Sequence, residues 1–286
     1  MGLPARIECD LTSADQVLFR AGAITAASFD CPVDHPRFAG GGPLSCHYLV
    51  FPRSATQIER DGIGRLVATP NLAVLYRPGD AYARRAISAA GDHCDYLAID
   101  SGDNMDIGAG SAPISPGTYL RKRQLFERLR QGHMTDALEF EAAANELVAE
   151  ALAAAWPRGA TPKSSDAHDT HSRRRQRDRI EQVKALLAKA GAATPSLGEL
   201  ARQVDLAPSS LVRLFRAHTG YSVHQYALHL RLRSALELLP ERPGDVADVA
   251  YELGFSHHSH FGEHFRRAFG LTPTEFVRDA RRMRSN

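Results

Sequence analysis

The residues of this chain whose types and spacing suggest chemistry form two polar sets near its C-terminal end. The first is Ser209, Ser210, Arg213 and Arg216; the second is His257, His258, Ser259, His260, Glu263, Arg266 and Arg267. Within each set, steps of three, four and seven place side chains on one side of a helix. Hydroxyl, imidazole, guanidinium and carboxylate groups on one helix face suit base edges and phosphates. Arginine can bond guanine bidentately, whereas a Glu accepts from the cytosine amino group.

Such a face works only if the opposite side is anchored. Leu211, Leu214 and Phe215 supply an apolar stripe behind the first set, and Phe261, Phe265 and Phe269 behind the second. The two segments are copies of one pattern. Leu211, Phe215, Arg216, Gly220, Ser222, Gln225 and Tyr226 recur fifty positions later as Phe261, Phe265, Arg266, Gly270, Thr272, Glu275 and Phe276. Upstream the offset is forty-nine: Leu200, Ala201, Val204 and Leu206 match Val249, Ala250, Leu253 and Phe255. One residue inserted in the second turn explains the change. Each copy therefore predicts helix, tight turn, helix, over 196–217 and 245–269, the layout whose second helix enters a major groove.

Local signals agree. Ser196 and Glu199 have capping-box spacing, Asp205 tolerates a left-handed turn, and Pro208 suits a helix start. Asp245 is the expected N-cap of the second unit, Gly254 its turn, and Thr272–Pro273 the cap of a short closing helix with Phe276 and Val277. Between the units, Tyr226, Leu230, Ala235, Leu236 and Leu239 predict a helix roughly 27 Å long at ~1.5 Å per residue. A rigid spacer of that length suits the ~34 Å between successive major grooves on one DNA face.

Charge divides the chain the same way. Its net of +2 averages a C-terminal part from Arg173, with 19 Lys and Arg against 12 Asp and Glu, and a remainder with 16 against 21. A basic module on a mildly acidic body fits a polyanion partner. No apolar run approaches a membrane span. The acidic N-terminus without an apolar run predicts no secretory signal and a cytoplasmic place. Cys9, Cys31, Cys46 and Cys94 are unevenly spaced, which in a reducing compartment predicts free thiols.

The N-terminal part reads as short strands: Val17–Phe29, His47–Phe51, Gly64–Ala68, Leu72–Tyr76 and Tyr96–Ile99. Turns are expected at Gly40–Gly42, Asp61–Gly62, Thr69–Asn71, Pro78–Asp80 and Gly91–Asp92. This spacing predicts a sandwich or small barrel over 1–117. Residues 118–156 predict two amphipathic helices that cap the β domain or pair two subunits. One carries Leu120, Leu125 and Leu129; the other carries Leu138, Ala142, Leu147, Val148 and Leu152 and ends near Trp156. Residues 157–172 read as a linker by composition, and 173–286 as the basic helical domain.

The stretch DVADVAYELGFSHHSHFGEHFRRAFGLTPTEFVR, 245–278, resembles the signature of the AraC/XylS family of transcription regulators. RLFRAHTGYSVHQY, 213–226, is similar to that family's first helix-turn-helix. The resemblance implies a seven-helix DNA-binding domain acting at promoters, usually through RNA polymerase, with duplex DNA as partner. It implies base reading by Ser209 and Arg213 in the first unit and by His258, Ser259, His260 and Glu263 in the second. The family commonly carries Arg where this chain has Glu263, so base preference there should be unusual; pairing of Glu263 with Arg266 or Arg267 is the competing expectation. Residues 47–100 resemble, more loosely, the family's cupin-type sensor barrel, which implies a small effector. The cupin metal set of His and Glu is not visible, and no cofactor is expected.

Four other readings compete. His260–His264 spells H-x-x-E-H, a metalloprotease pattern, but Phe261 and Phe265 make it part of the helix register. Cys31, His35, Cys46, His47, His93 and Cys94 would suit a metal or thiol sensor if they converged at a barrel mouth. A cupin enzyme with a DNA-binding tail lacks its metal residues, and a zinc-thiolate repair domain lacks its closely spaced cysteines. The expectation is a non-enzymatic, effector-responsive activator: an all-β cupin-like barrel, linking helices and an all-α double helix-turn-helix. It would dimerise through 118–156, with binding by one monomer geometrically open.

Overall fold

The computed structural model describes residues 12–36, 38–61, 64–100, 110–155 and 171–285. Cys9, Trp156 and the expected linker up to residue 170 lie outside the described residues. The chain divides into two compact units, Met1–Ile114 with Met134–Asp169, and Ser115–His133 with Thr170–Asn286.

Among its described residues the first unit holds ten strands: β1 Asp15–Ala21, β2 Ile24–Cys31, β3 Gly40–Gly41, β4 His47–Pro52, β5 Thr56–Arg60, β6 Gly64–Ala68, β7 Leu72–Tyr76, β8 Tyr82–Ala86, β9 Asp92–Ile99 and β10 Gly110–Pro113. They form an antiparallel six-stranded sheet, β1-β2-β9-β4-β7-β10, and a four-stranded sheet, β3-β8-β5-β6. The sheets share one core, where Ala27, Phe29, Val74, Tyr96 and Ala98 of one meet Ile58, Leu66 and Ala68 of the other. Of the expected sandwich or small barrel, the described residues form two separate hydrogen-bonded sheets rather than a closed barrel. The single long strand expected over Val17–Phe29 is a hairpin, because Gly22 at φ +51° turns the chain. Gly40 and Gly41, expected in a turn, pair with Ala83 and Tyr82. A Cβ on Gly40 would sit 2.4 Å from the Tyr82 carbonyl oxygen, so the close approach needs glycine.

Helix α2, Ala137–Ala155, buries Phe140, Ala144, Leu147, Val148 and Ala151 on one stripe. It packs on β1 and β10, the two edge strands of the larger sheet. One helix thus reaches both edge strands, and Phe19 of β1 meets Phe140 at 5.0 Å between ring centres.

The second unit is helical: α1 Pro116–Arg130, α3 His171–Ala190, α4 Leu197–Gln203, α5 Pro208–Thr219, α6 Val223–Leu238, α7 Val246–Glu252, α8 His258–Phe269 and α9 Pro273–Ser285. The seven helices from His171 onward match the number implied by the family resemblance, and α3 begins two residues inside the stretch read as linker.

The structure separates the two helices expected to act together over 118–156. Although α1 lies between β10 and α2 in sequence, it packs on α6 and α8. The reason is its buried face. Tyr119, Lys122 and Phe126 are fully buried, with the Lys122 ammonium 4.4 Å and the Arg233 guanidinium 5.1 Å from the Tyr119 ring. Arg123 Nε donates to the Leu236 carbonyl in the last turn of α6 at 2.8 Å, satisfying a group that a helix end leaves open.

Candidate nucleic-acid interface

Both polar sets fall on the second helix of a helix-turn-helix. In the first unit, Ser196 caps α4 and Glu199 completes the capping box. Asp205 takes φ +51°, and the Leu206 amide donates to the Ala201 carbonyl at 2.9 Å across the turn. In the second unit the equivalent residues do the same: Gly254 takes φ +79°, and the Phe255 amide donates to Ala250 at 3.0 Å. Four residues separate α4 from α5 and five separate α7 from α8, which locates the single insertion. Asp245 differs from expectation, since its side chain makes no cap bond to α7.

Leu211 and Phe215 are fully buried behind α5, and Phe261 and Phe265 behind α8. Each such side chain contributes roughly 1.5–3 kcal/mol through burial. Phe215 meets Tyr226 of α6 edge-on at 5.4 Å, and Phe265 lies between Phe261 at 5.5 Å and Phe269 at 4.7 Å. Beneath α5, Lys184 of α3 donates to both Glu181 oxygens, at 3.0 and 2.7 Å, and His218 of α5 reaches Glu181 at 2.8 Å. Burial pushes the Glu181 carboxyl up, but Lys184 and His218 outweigh it and hold it below its ordinary range.

The polar faces stay open. Ser209, Arg213 and Arg216 on α5 are exposed and Ser210 is half-buried; His257, His258, Ser259, His260, Glu263, Arg266 and Arg267 are all exposed. Neither α5 nor α8 has a side-chain cap, because Ala207 and His257 hold those places. Glu263 accepts from Arg267 at 2.9 Å, with both side chains more than half exposed at 65% and 71%. His260 and His264, the ends of H-x-x-E-H, bring their Nε2 atoms within 2.8 Å, while Glu263 pairs with Arg267. Spacing alone does not identify His264 as a partner, because its role depends on rotamers.

The spacer has the expected character. Ser222 and Gln225 form a capping box at the start of α6, whose sixteen residues span about 24 Å at ~1.5 Å each. Thr272 and Glu275 exchange the same pair of bonds before α9.

The first unit contains a second candidate, a cavity of about 380 Å³ between the sheets, lined by Tyr48, Tyr76, Tyr82, Tyr96, Arg84 and Cys94 among others. Tyr96 donates to Asp15 at 2.7 Å, and Arg84 donates to Asp92 at 3.0 Å with its guanidinium 4.6 Å from the Phe29 ring. Burial pushes the Tyr82 phenol up to about 12 and the Cys31 and Cys94 thiols above their usual value, so the protonated forms are favoured. Cys31, Cys46 and Cys94 all lie in the core between the sheets. Cys94 lines the cavity, while neighbouring His93 bonds Asp30 at 2.7 Å. His35 reaches Ser13 at 3.4 Å. Among the described residues no three His, Cys, Asp or Glu side chains are placed to share a metal ion, and no helix is long and apolar enough to cross a membrane.

Residues 200–279 match a family described as a helix-turn-helix domain. The probable transcriptional regulator LumQ of Photobacterium leiognathi is 40% identical over 81 residues, 28% of this chain and 33% of that protein. The HTH-type transcriptional activator RhaR of Pectobacterium carotovorum is 30% identical over 155 residues, 54% of this chain and 52% of that protein. The chain thus spans about a third of the first relative and about half of the second. A solved regulator from Chromobacterium violaceum, of the AraC-type DNA-binding class, is 26% identical and covers 38% of this chain and 94% of that one, with a TM-score of 0.33.

Proposed function

From the premise that the C-terminal unit carries an AraC-type helix-turn-helix domain, we propose that this chain is a sequence-specific DNA-binding transcriptional regulator. One observation carries the reading: two equivalent helix-turn-helix units, each with a buried apolar stripe and an open polar face, joined by one capped helix. Helices α5 and α8 enter successive major-groove segments on one side of the duplex. Ser209, Arg213, His258, Ser259 and His260 face base edges and Arg216 and Arg266 serve phosphates, while Glu263 is held by Arg267.

The first unit acts as a cupin-like sensor, its cavity between the sheets holding a small effector. The effector shifts the protein between arrangements by its different affinity for each, and the regulator activates transcription through RNA polymerase in the cytoplasm. Helix α2 joins two copies. Its outward face carries Leu138, Ala142, Asn145, Ala149 and Leu152 at alternating steps of four and three, with Leu138 76% exposed. That is the spacing of a helix-pair seam, and one Asn within such a seam fixes its register.

Hydroxyl-radical footprinting on a bound promoter fragment tests this reading. Two protected patches about one helical turn apart on one face are expected. A single patch, or uniform protection, refutes two-helix reading.

A further inference from the structure

The histidine pair on α8 has a geometry that DNA reading alone does not require. His260 and His264 lie one turn apart, their Nε2 atoms 2.8 Å apart and their ring centres 4.4 Å apart. Phe255 in the turn, nearly fully buried, has its ring centre 6.2 Å from that of His260 and 6.4 Å from that of His264, so it backs both rings.

We infer that His260 and His264 form a two-imidazole site for a late first-row transition-metal dication of the copper(II) or nickel(II) type, and that its occupation competes with sequence-specific DNA. With metal–nitrogen bonds of about 2.05 Å, nitrogens 2.8 Å apart subtend about 86° at the metal. That suits neighbouring positions of a square-planar or octahedral centre, whereas a tetrahedral zinc would need the nitrogens about 3.3 Å apart. Water fills the remaining positions.

This inference rests on the proposed DNA reading for its consequence but not for its site. The metal would hold His260, a residue on the proposed base-reading face of α8. Metal and specific DNA would then exclude one another, each weakening the other by the same factor.

The test uses the untagged full chain. Nickel chloride is titrated calorimetrically in a non-coordinating buffer at neutral pH, with magnesium chloride as control; the wild type is compared with H264Q and with H264C, which retains a soft ligand. DNA affinity is then measured by anisotropy with and without nickel. The wild type is expected to show a nickel-binding step that H264Q loses and H264C restores, and nickel is expected to weaken DNA binding by the wild type but not by H264Q. Equal nickel binding by wild type and H264Q overturns the site. Nickel binding that leaves the wild type's DNA affinity unchanged, or raises it, overturns the competition. If no DNA is bound at all, the regulator reading fails while the calorimetry still judges the metal site.

Discussion

Gly254→Ala tests how rigidly α8 is aimed. Gly254 has φ +79°, and a Cβ there would lie 2.7 Å from the Ala192 carbonyl oxygen, 3.0 Å from its Cα and 3.1 Å from its Cβ. Gly220, at φ +76°, has nothing within 4 Å of the same position and serves as an internal control. The left-handed conformation costs an alanine ~1 kcal/mol or somewhat more, and that is the whole expected effect of Gly220→Ala. At Gly254 the atoms in the way are largely backbone, so the loop after α3 must shift, adding ~1–3 kcal/mol of overpacking. The expected loss is therefore about 2–4 kcal/mol for Gly254→Ala. Thermal unfolding followed by circular dichroism at 222 nm, where the helical unit dominates, should show a drop at least twice that of Gly220→Ala. DNA affinity should fall with it, because the turn sets the entry of α8. Equal stability losses in the two variants would refute the claim that contact with Ala192 fixes this turn.

Arg213→Ala should lower affinity by roughly 1–3 kcal/mol and relax base choice at one half-site; equal loss on all sequences would contradict base reading. Arg266→Ala should lower affinity on every sequence and reduce the salt slope by about one, as a phosphate contact does. Leu138→Glu should convert dimers to monomers in light scattering without lowering the melting temperature, and an unchanged mass would rule out the α2 seam. Burial, with Arg233 nearby, depresses the His229 imidazole to about 4. Unfolding would return it to ~6.5, so protons favour the unfolded chain between those values. Stability from this group is therefore present above pH ~6.5 and lost as pH falls toward 4; His229→Asn should flatten that stretch of the stability–pH curve.

The sequence exposed the helical unit well because its signals are local and occur twice. The 50- and 49-residue offsets map onto helices of equal length, turns of four and five residues, and a left-handed residue at each turn. Asp245 misled because its backbone, at φ −114° and ψ 41°, is not the extended form in which a side-chain cap reaches back. In the β unit, β7 was legible to the residue because it is an unbroken apolar run, and β6 because its buried Leu66, Val67 and Ala68 lie just before the Thr69–Asn71 turn. Strands β5 and β8 were not, since their inward positions carry Arg60 and Arg84, which are buried and stacked 4.6 Å from Tyr76 and Phe29. A search for apolar runs passes over a strand whose core residue is a guanidinium on an aromatic ring. The same blindness hid the allegiance of α1, whose buried face includes Lys122 and Arg123. At the site, residue types and spacing located both polar faces, but the Glu263–Arg267 pair and the meeting of His260 with His264 depend on rotamers that spacing does not determine.

That α5 and α8 together read sequence is the central claim. Selection of genomic fragments by the purified protein at ~150 mM salt, where nonspecific phosphate binding is weakened, followed by sequencing, tests it most directly. Discrete sites with two short elements one helical turn apart are predicted, with loss of one element in Arg213→Ala. Diffuse, salt-sensitive recovery without a shared pair of elements, in the presence and absence of a metabolite extract, would contradict it.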